Sequence, residues 1–242
     1  MILRRVIEHV KAQNWTAVGI DFVIVVVGVF IGIQVSNWNA ARADRAAEAQ
    51  YLVRLQEELE LTAARLDADL GWQRDNAQRL RFVLESLRRC ELAKADQDEF
   101  ALGLFVAGKL DPPMLVDSTL EELKSSGRMN IIQDDELRSG LINLQRGFRV
   151  SATHIETVSK WAVEPVNQIN KRVVYLTLDE NSSSENNVRW SDIEFDFPAA
   201  CQDVAFKAGI SALWNYTLEN VRRDRNLLER TNELLSRIEE IR

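Results

Sequence analysis

The chain has 242 residues, 46% of them hydrophobic and 28% charged, with only 10 Gly and 4 Pro. That composition excludes wholesale disorder, as well as collagen-like, barrel or glycine-looped nucleotide-binding chains, and it favours long helices. A formal net charge of −7 argues against nucleic acid as a partner, although residues 1–14 carry Arg4, Arg5 and Lys11 against the single acid Glu8.

Those first 14 residues predict an amphipathic cytoplasmic helix. Ile2, Leu3, Val6, Ile7 and Val10 fall on one stripe opposite Arg4, Glu8 and Lys11, a pattern suited to a membrane surface. From Trp15 to Val35 the sequence is apolar on every face, broken only by Thr16, Asp21 and Gln34, which predicts a transmembrane helix over 15–38. Trp15 and Trp38, separated by roughly 35 Å of helix, read as the two interface anchors. No small-x-small cleavage pattern follows the apolar run, so the segment reads as an uncleaved signal anchor. Positive charge before the span predicts a cytoplasmic N-terminus and a periplasmic domain over 39–242, in a bacterial inner membrane. Gly28 and Gly32 form a small-xxx-small pair that admits close helix–helix contact. Asp21 is the intramembrane candidate. Its insertion costs about 2.5–3.5 kcal/mol, which the roughly 3–6 kcal/mol from the apolar residues after it outweighs. It either snorkels to the cytoplasmic interface or acts as an intramembrane acid.

Beyond the span, residues 40–90 contain no proline and one glycine, and predict a long helix. Steps of three and four from Leu52 give an apolar seam through Leu55, Leu59, Leu66, Leu80, Val83 and Leu87, weakened by the polar trio Asp69, Gln73 and Asn76. Residues 198–242 predict a second helix of matching length, with a seam from Ile210 through Trp214, Thr217, Val221, Asp224, Leu228, Thr231 and Leu235 to Ile238. Placed antiparallel with Cys90 beside Cys201, the pair brings Arg242 opposite Ala49 and sets Asp67 and Asp69 near Arg222 and Arg223. Two cysteines at the membrane-distal helix ends, in an oxidising compartment, predict a Cys90–Cys201 disulfide.

Residues 91–197 predict a small helical head. It holds a helix from Asp96 to Lys109, a capping box at Ser118-Thr-Leu-Glu121 opening a short helix that ends at Gly127, and a longer helix from Asp134 or Asp135 toward Tyr175 with Pro165 inside it. Residues 178–187 predict a mobile loop. The expected whole is all-α: one N-terminal transmembrane helix, then an antiparallel helical hairpin stalk carrying the head.

Catalytic signals are sparse. His9 and His154 lack partners at ligand spacing, the cysteine spacing fits no zinc or redox motif, and Asp134-Asp135 point different ways on a helix. Trp161, Trp190 and Trp214 read as head packing. Residues 118–148 have the outline of a helix–turn–helix, but Asp134, Asp135 and Glu136 would repel phosphate. No catalytic, cofactor-binding or metal-binding residue is expected, and the chain does not read as an enzyme.

Two blocks carry a family resemblance. Gly19-Ile-Asp21, the apolar run and Gln34-Val-Ser-Asn37-Trp38-Asn39 resemble the N-terminal signature of an uncharacterised bacterial family of single-span membrane proteins, in which the acid is commonly Glu. Thr119-Leu-Glu-Glu-Leu-Lys-Ser-Ser-Gly127 with Asp135-Glu-Leu-Arg-Ser-Gly-Leu-Ile142 is similar to that family's second block. The resemblance implies anchoring and a helical exterior domain, and names no activity. The expected function is a non-enzymatic scaffold or interaction module whose partners are the lipid bilayer and either a second copy or another inner-membrane protein. The alternative is a subunit of an ion-driven energy-transducing complex using Asp21; its layout is similar to that of the TolR, ExbD and flagellar-stator families, whose periplasmic domains are not long helical hairpins.

Overall fold

The computed structural model describes residues 15–176 and 188–242, with side chains from Ile20 onward except that of Asp21. The expected helix over 1–14 and loop over 178–187 lie outside the described residues. In chain order the elements are α1 (Trp15–Arg89), α2 (Gln97–Phe105), α3 (Ser118–Ser125), α4 (Asp135–Asn170), β1 (Val173–Tyr175), β2 (Ile193–Phe195), α5 (Phe197–Gln202) and α6 (Val204–Ile241). Among the described residues the fold is all-α apart from one two-stranded ladder.

Helix α1 covers both the expected span 15–38 and the expected stalk helix 40–90 without interruption. The junction residues Asn39, Ala40, Ala41 and Arg42 include neither Gly nor Pro, so nothing in the backbone stops the helix there. Two compact units divide the chain, residues 1–51 and 52–242. The second thus starts at Leu52, and not at residue 39 as the sequence implied, because Tyr51 and Leu52 are the first buried apolar residues along the helix. In the first unit every described large apolar side chain between Ile20 and Val35 is 47–69% exposed.

The second unit is a bundle of three long helices, where the sequence implied a two-helix hairpin with a small head. Helix α4 spans 36 residues against 38 for α6. The two run antiparallel in a fixed register: Gly140 lies against Leu234, Gly147 against Leu227, and Gly209 against Pro165, each so close that an added Cβ would stand 2.5–3.1 Å from its neighbour. Helix α6 also runs antiparallel to the later part of α1, which it meets through Gln73 and Asp224 and through Arg242 and Gln56. A helix packed on two sides needs two apolar stripes, and α6 supplies them. Leu227 and Leu234 turn to α4, while Trp214 and Val221 turn to α1.

The expected helix 198–242 is two helices. Asp203 leaves the helical region (φ −82°, ψ 106°) and caps α6 by accepting from the Phe206 amide at 3.0 Å, while its carboxylate also holds Arg172 at 2.7 Å. This break shifts the register counted from the cysteines. Arg242 reaches Gln56 instead of lying opposite Ala49, and Arg222 and Arg223 pair with Glu219 instead of Asp67 and Asp69. Residues that turn between helices do not advance along the bundle, so counting at constant rise overshoots by about two turns.

At the far end, α1 closes with Cys90 in the left-handed region (φ 52°) and the Glu91 amide bonded to the Ser86 carbonyl at 3.2 Å, a Schellman arrangement. Cys90 and Cys201 pair as a disulfide, with Cα atoms 5.4 Å apart. Beside them Phe100 is ringed by Phe82, Trp190, Phe195 and Phe197 at centroid distances of 5.5–6.5 Å. The helix expected to reach Tyr175 stops at Asn170, and Val173–Tyr175 pairs with Ile193–Phe195 instead; consecutive β-branched valines favour that choice. Helix α2 likewise ends at Phe105, before Lys109, with Gly108 at φ 83° in the turn that follows.

The capping box expected at α3 does not form. Its N-terminus is satisfied from α1: Glu58 accepts from the Thr119 amide at 3.0 and 3.1 Å, from Thr119 Oγ1 at 2.9 Å, and from Ser118 Oγ. Glu121, the acid of the sequence motif, is occupied by Lys124 and Gln145. A carboxylate at a helix N-terminus is favoured by both the free amides and the helix dipole. Replacing Glu58 by Ala is expected to destabilise the fold by about 1–3 kcal/mol, with Glu58→Gln intermediate, as read from urea unfolding of the purified protein. A loss below about 0.5 kcal/mol, the usual effect of an exposed substitution, would show that the clamp contributes nothing.

Candidate functional site

The bundle's most distinctive chemistry is a polar layer halfway along it. Helix α1 contributes Gln73 and Asn76, α6 contributes Thr217, Asn220 and Asp224, and the register of α4 against α6 brings Ser151 and His154 to the same level. Gln73, Asn76, Ser151, Thr217, Asn220 and Asp224 are all buried, Asp224 to 1% exposure; His154 is half-buried.

Part of the layer is satisfied internally. Gln73 Nε2 donates to Asp224 Oδ2 at 2.6 Å, Arg79 Nη1 donates to Asn76 Oδ1 at 3.2 Å, and Thr217 Oγ1 donates to the Leu213 carbonyl at 3.0 Å. The other polar atoms of the same groups, Gln73 Oε1, Asn76 Nδ2, Ser151 Oγ, His154 Nε2, Asn220 Nδ2 and Asp224 Oδ1, have no protein partner. Buried atoms of this kind cost free energy unless water or a proton satisfies them. Burial pushes the Asp224 carboxyl up to about 6; the bond from Gln73 opposes the shift and the charge of Asp69 adds to it. Burial, reinforced by Arg223, holds the His154 imidazole below its ordinary value against the pull of Glu219.

The seam pattern pointed to Gln73, Asn76, Thr217 and Asp224, and all four face inward. Asp69, the third member of the polar trio, is exposed, and Leu70 takes the buried position beside it, as a straight 3.6-residue period requires. Ser151 and Asn220 went unremarked in the sequence, because each is a single polar residue in a stripe recognisable only once α4 is known to pack against α6.

The remaining sequence candidates are scattered. Among the described residues, nothing beyond the helix's own adjacent backbone lies within 4 Å of where a Cβ would stand on Gly28 or Gly32, and Trp38 is exposed. The side chains of Trp15 and Asp21 lie outside the described residues, as does His9. Trp190 packs in the Phe100 cluster and Trp214 is half-buried, but Trp161 is 59% exposed and does not pack as expected. Asp134 caps α4 through the Leu137 amide at 2.7 Å and binds Arg237 at 2.6 Å, which together hold its carboxyl below the usual range; Asp135 pairs with Arg138. Among the described residues no group of three His, Cys, Asp or Glu is arranged to hold a metal ion.

No protein-family model, curated protein or solved structure matches this chain. The chemistry of the polar layer itself is that of a structural specifier with two titratable groups, Asp224 and His154: a mismatched register would leave Gln73 and Asp224 buried apart from each other.

The raised Asp224 value fixes a pH dependence. The unfolded carboxyl titrates near 3.8 and the folded one near 6, so the folded state binds the extra proton in between and stability falls as pH rises through that window. Asp224→Asn is isosteric and never ionises, so the variant should gain about 2–3 kcal/mol relative to the unsubstituted protein between about pH 4 and pH 7. Urea unfolding of both proteins at the two pH values measures this, and a difference that does not change with pH contradicts it.

Proposed function

We propose that the protein is a membrane-anchored helical interaction module of a bacterial inner membrane, with residues 1–14 cytoplasmic and the domain beyond the span periplasmic. The supporting observation for anchoring is the exposure of the apolar run. Among the described residues, one helix near the N-terminus is long and apolar enough to cross a membrane, and its large side chains from Phe22 to Val35 find no cover from the others. Exposed apolar surface of that extent is stable only against lipid or partner helices. The open flanks of Gly28 and Gly32 leave room for a second helix, either from another copy or from a different inner-membrane protein.

The orientation rests on Arg4, Arg5 and Lys11 preceding the span, and the Cys90–Cys201 pair supports it, since structural disulfides persist in oxidising compartments. The bundle supplies a role for the exterior domain: three long helices offer an extended surface for contact.

Alkaline phosphatase fused after Arg242 should be active in cells, and a cytoplasmic reporter at the same point inactive; the opposite pair of results reverses the topology. In the same cells Cys90 and Cys201 should resist thiol alkylation until a reductant is added. Cys90→Ser should lower stability by about 2–5 kcal/mol, the usual cost of removing a bridge that closes a long loop. Asp21→Asn should leave abundance unchanged, because it removes a charge from the span. If both the complexes recovered in mild detergent and any knockout phenotype are unchanged by Asp21→Asn, the ion-driven alternative is excluded.

A further inference from the structure

A groove of about 270 Å³ runs between α1 and α6, lined by Arg74, Ala77, Gln78 and Arg81 on one side and by Trp214, Leu218, Val221 and Arg225 on the other. Its floor is apolar, one wall is the half-buried indole of Trp214, and three guanidinium-bearing residues line it without a single carboxylate. In a chain with 37 acids and 30 bases that segregation is unusual. Several other arginines on these helices are paired: Arg79 with Glu99 at 3.0 Å, Arg223 with Glu219 at 3.3 Å, and Arg237 with Asp134 and Glu240. In the groove only Arg81 has such a partner, Glu85 at 3.6 Å, on an exposed i,i+4 pair. Arg74 and Arg225 make no ion pair with any described residue.

We propose that this groove binds a small amphiphilic oxyanion: a phosphate or carboxylate held by Arg74 and Arg225 from opposite walls, attached to an aromatic or aliphatic body lying on Ala77, Leu218 and Val221 against Trp214. Each half of the ligand answers a separate feature. Arginines on both walls of one groove match an oxyanion, whose oxygens accept paired N–H donors, and the apolar residues between them gain from covering the ligand's body. The antiparallel register of α1 and α6 is what sets Arg74 across from Arg225, because each directly follows a member of the buried Gln73–Asp224 pair. The inference does not depend on the membrane reading.

Phenyl phosphate is the probe, titrated into the full chain in mild detergent and followed by isothermal calorimetry. Saturable binding is expected, with inorganic phosphate and benzyl alcohol each at least tenfold weaker, since each keeps one half of the recognition. Arg74→Gln with Arg225→Gln should weaken phenyl phosphate at least tenfold, whereas Arg88→Gln with Arg222→Gln, the same charge change outside the groove, should not. Circular dichroism of both double variants checks that the helices persist. The proposal is overturned by absence of saturable binding, by equal affinity for benzyl alcohol or inorganic phosphate, or by equal losses in the two double variants. If Arg74→Gln with Arg225→Gln unfolds the chain, Arg74→Lys with Arg225→Lys replaces it. Lysine keeps the charge but loses the paired donors, so weakened binding is expected and unchanged binding overturns the proposal.

Discussion

The second unit is organised by the demand that α6 be buried on two sides at once. Leu213, Asn220, Leu227 and Leu234 recur every seven residues, and Trp214, Val221, Leu228 and Leu235 recur beside them. One series alone is satisfied by a two-helix seam; two adjacent series need two partners. Helix α4 supplies the second by offering Gly140 and Gly147 at the same seven-residue spacing, so that Leu234 and Leu227 fill the space their missing side chains leave. Glycine inside a helix costs about 1 kcal/mol against alanine. Here the cost is offset by close backbone approach, and at Gly209 even the Pro165 carbonyl stands 3.1 Å from where a Cβ would be.

The polar layer interrupts this apolar packing at the level of Gln73 and Asp224. Replacing such layers with hydrophobic residues often raises stability, so their value lies in what they forbid. A one-turn slip of α1 against α6 preserves many leucine contacts, since leucines recur along both seams, but it strands a buried amide and a buried carboxyl. The layer therefore separates the native register from near neighbours that apolar contacts alone rank as similar.

How much of this was legible in the sequence follows from the kind of signal involved. The helices, the exposed apolar run and the inward-facing Gln73 and Asp224 were readable, because composition and a 3.6-residue period are local. The proximity of Cys90 and Cys201 was readable as well, since it needs only that two long helices return on each other. The long helix opening at Asp134 or Asp135 was readable too, although it stops at Asn170; its packing along α6 was not, because a single seam on α6 accounts for only one partner helix. The break at Asp203 was missed because Asp is tolerated inside helices; its capping role appears only once Phe206 and Arg172 are seen around it. At α3 the motif Ser118-Thr-Leu-Glu121 was a true capping pattern outcompeted by Glu58, a residue 61 positions from Thr119. Local motifs of that kind lose whenever a distant group brings a full charge to the same amides.

That distant clamp bears on how the domain assembles. A helix as short as α3 is marginal on its own in water, and its N-terminal amides have no acceptor from its own turn. It becomes stable only when Glu58 of α1 is already in place, and α1 in turn leaves its seam open until α6, whose approach also brings Cys201 to Cys90 across 111 residues of chain. Folding of this unit then needs contacts remote in sequence, and a helical protein of this kind should fold more slowly than its helix content alone implies. During that interval the leucines of α1 stay open to water and to other chains.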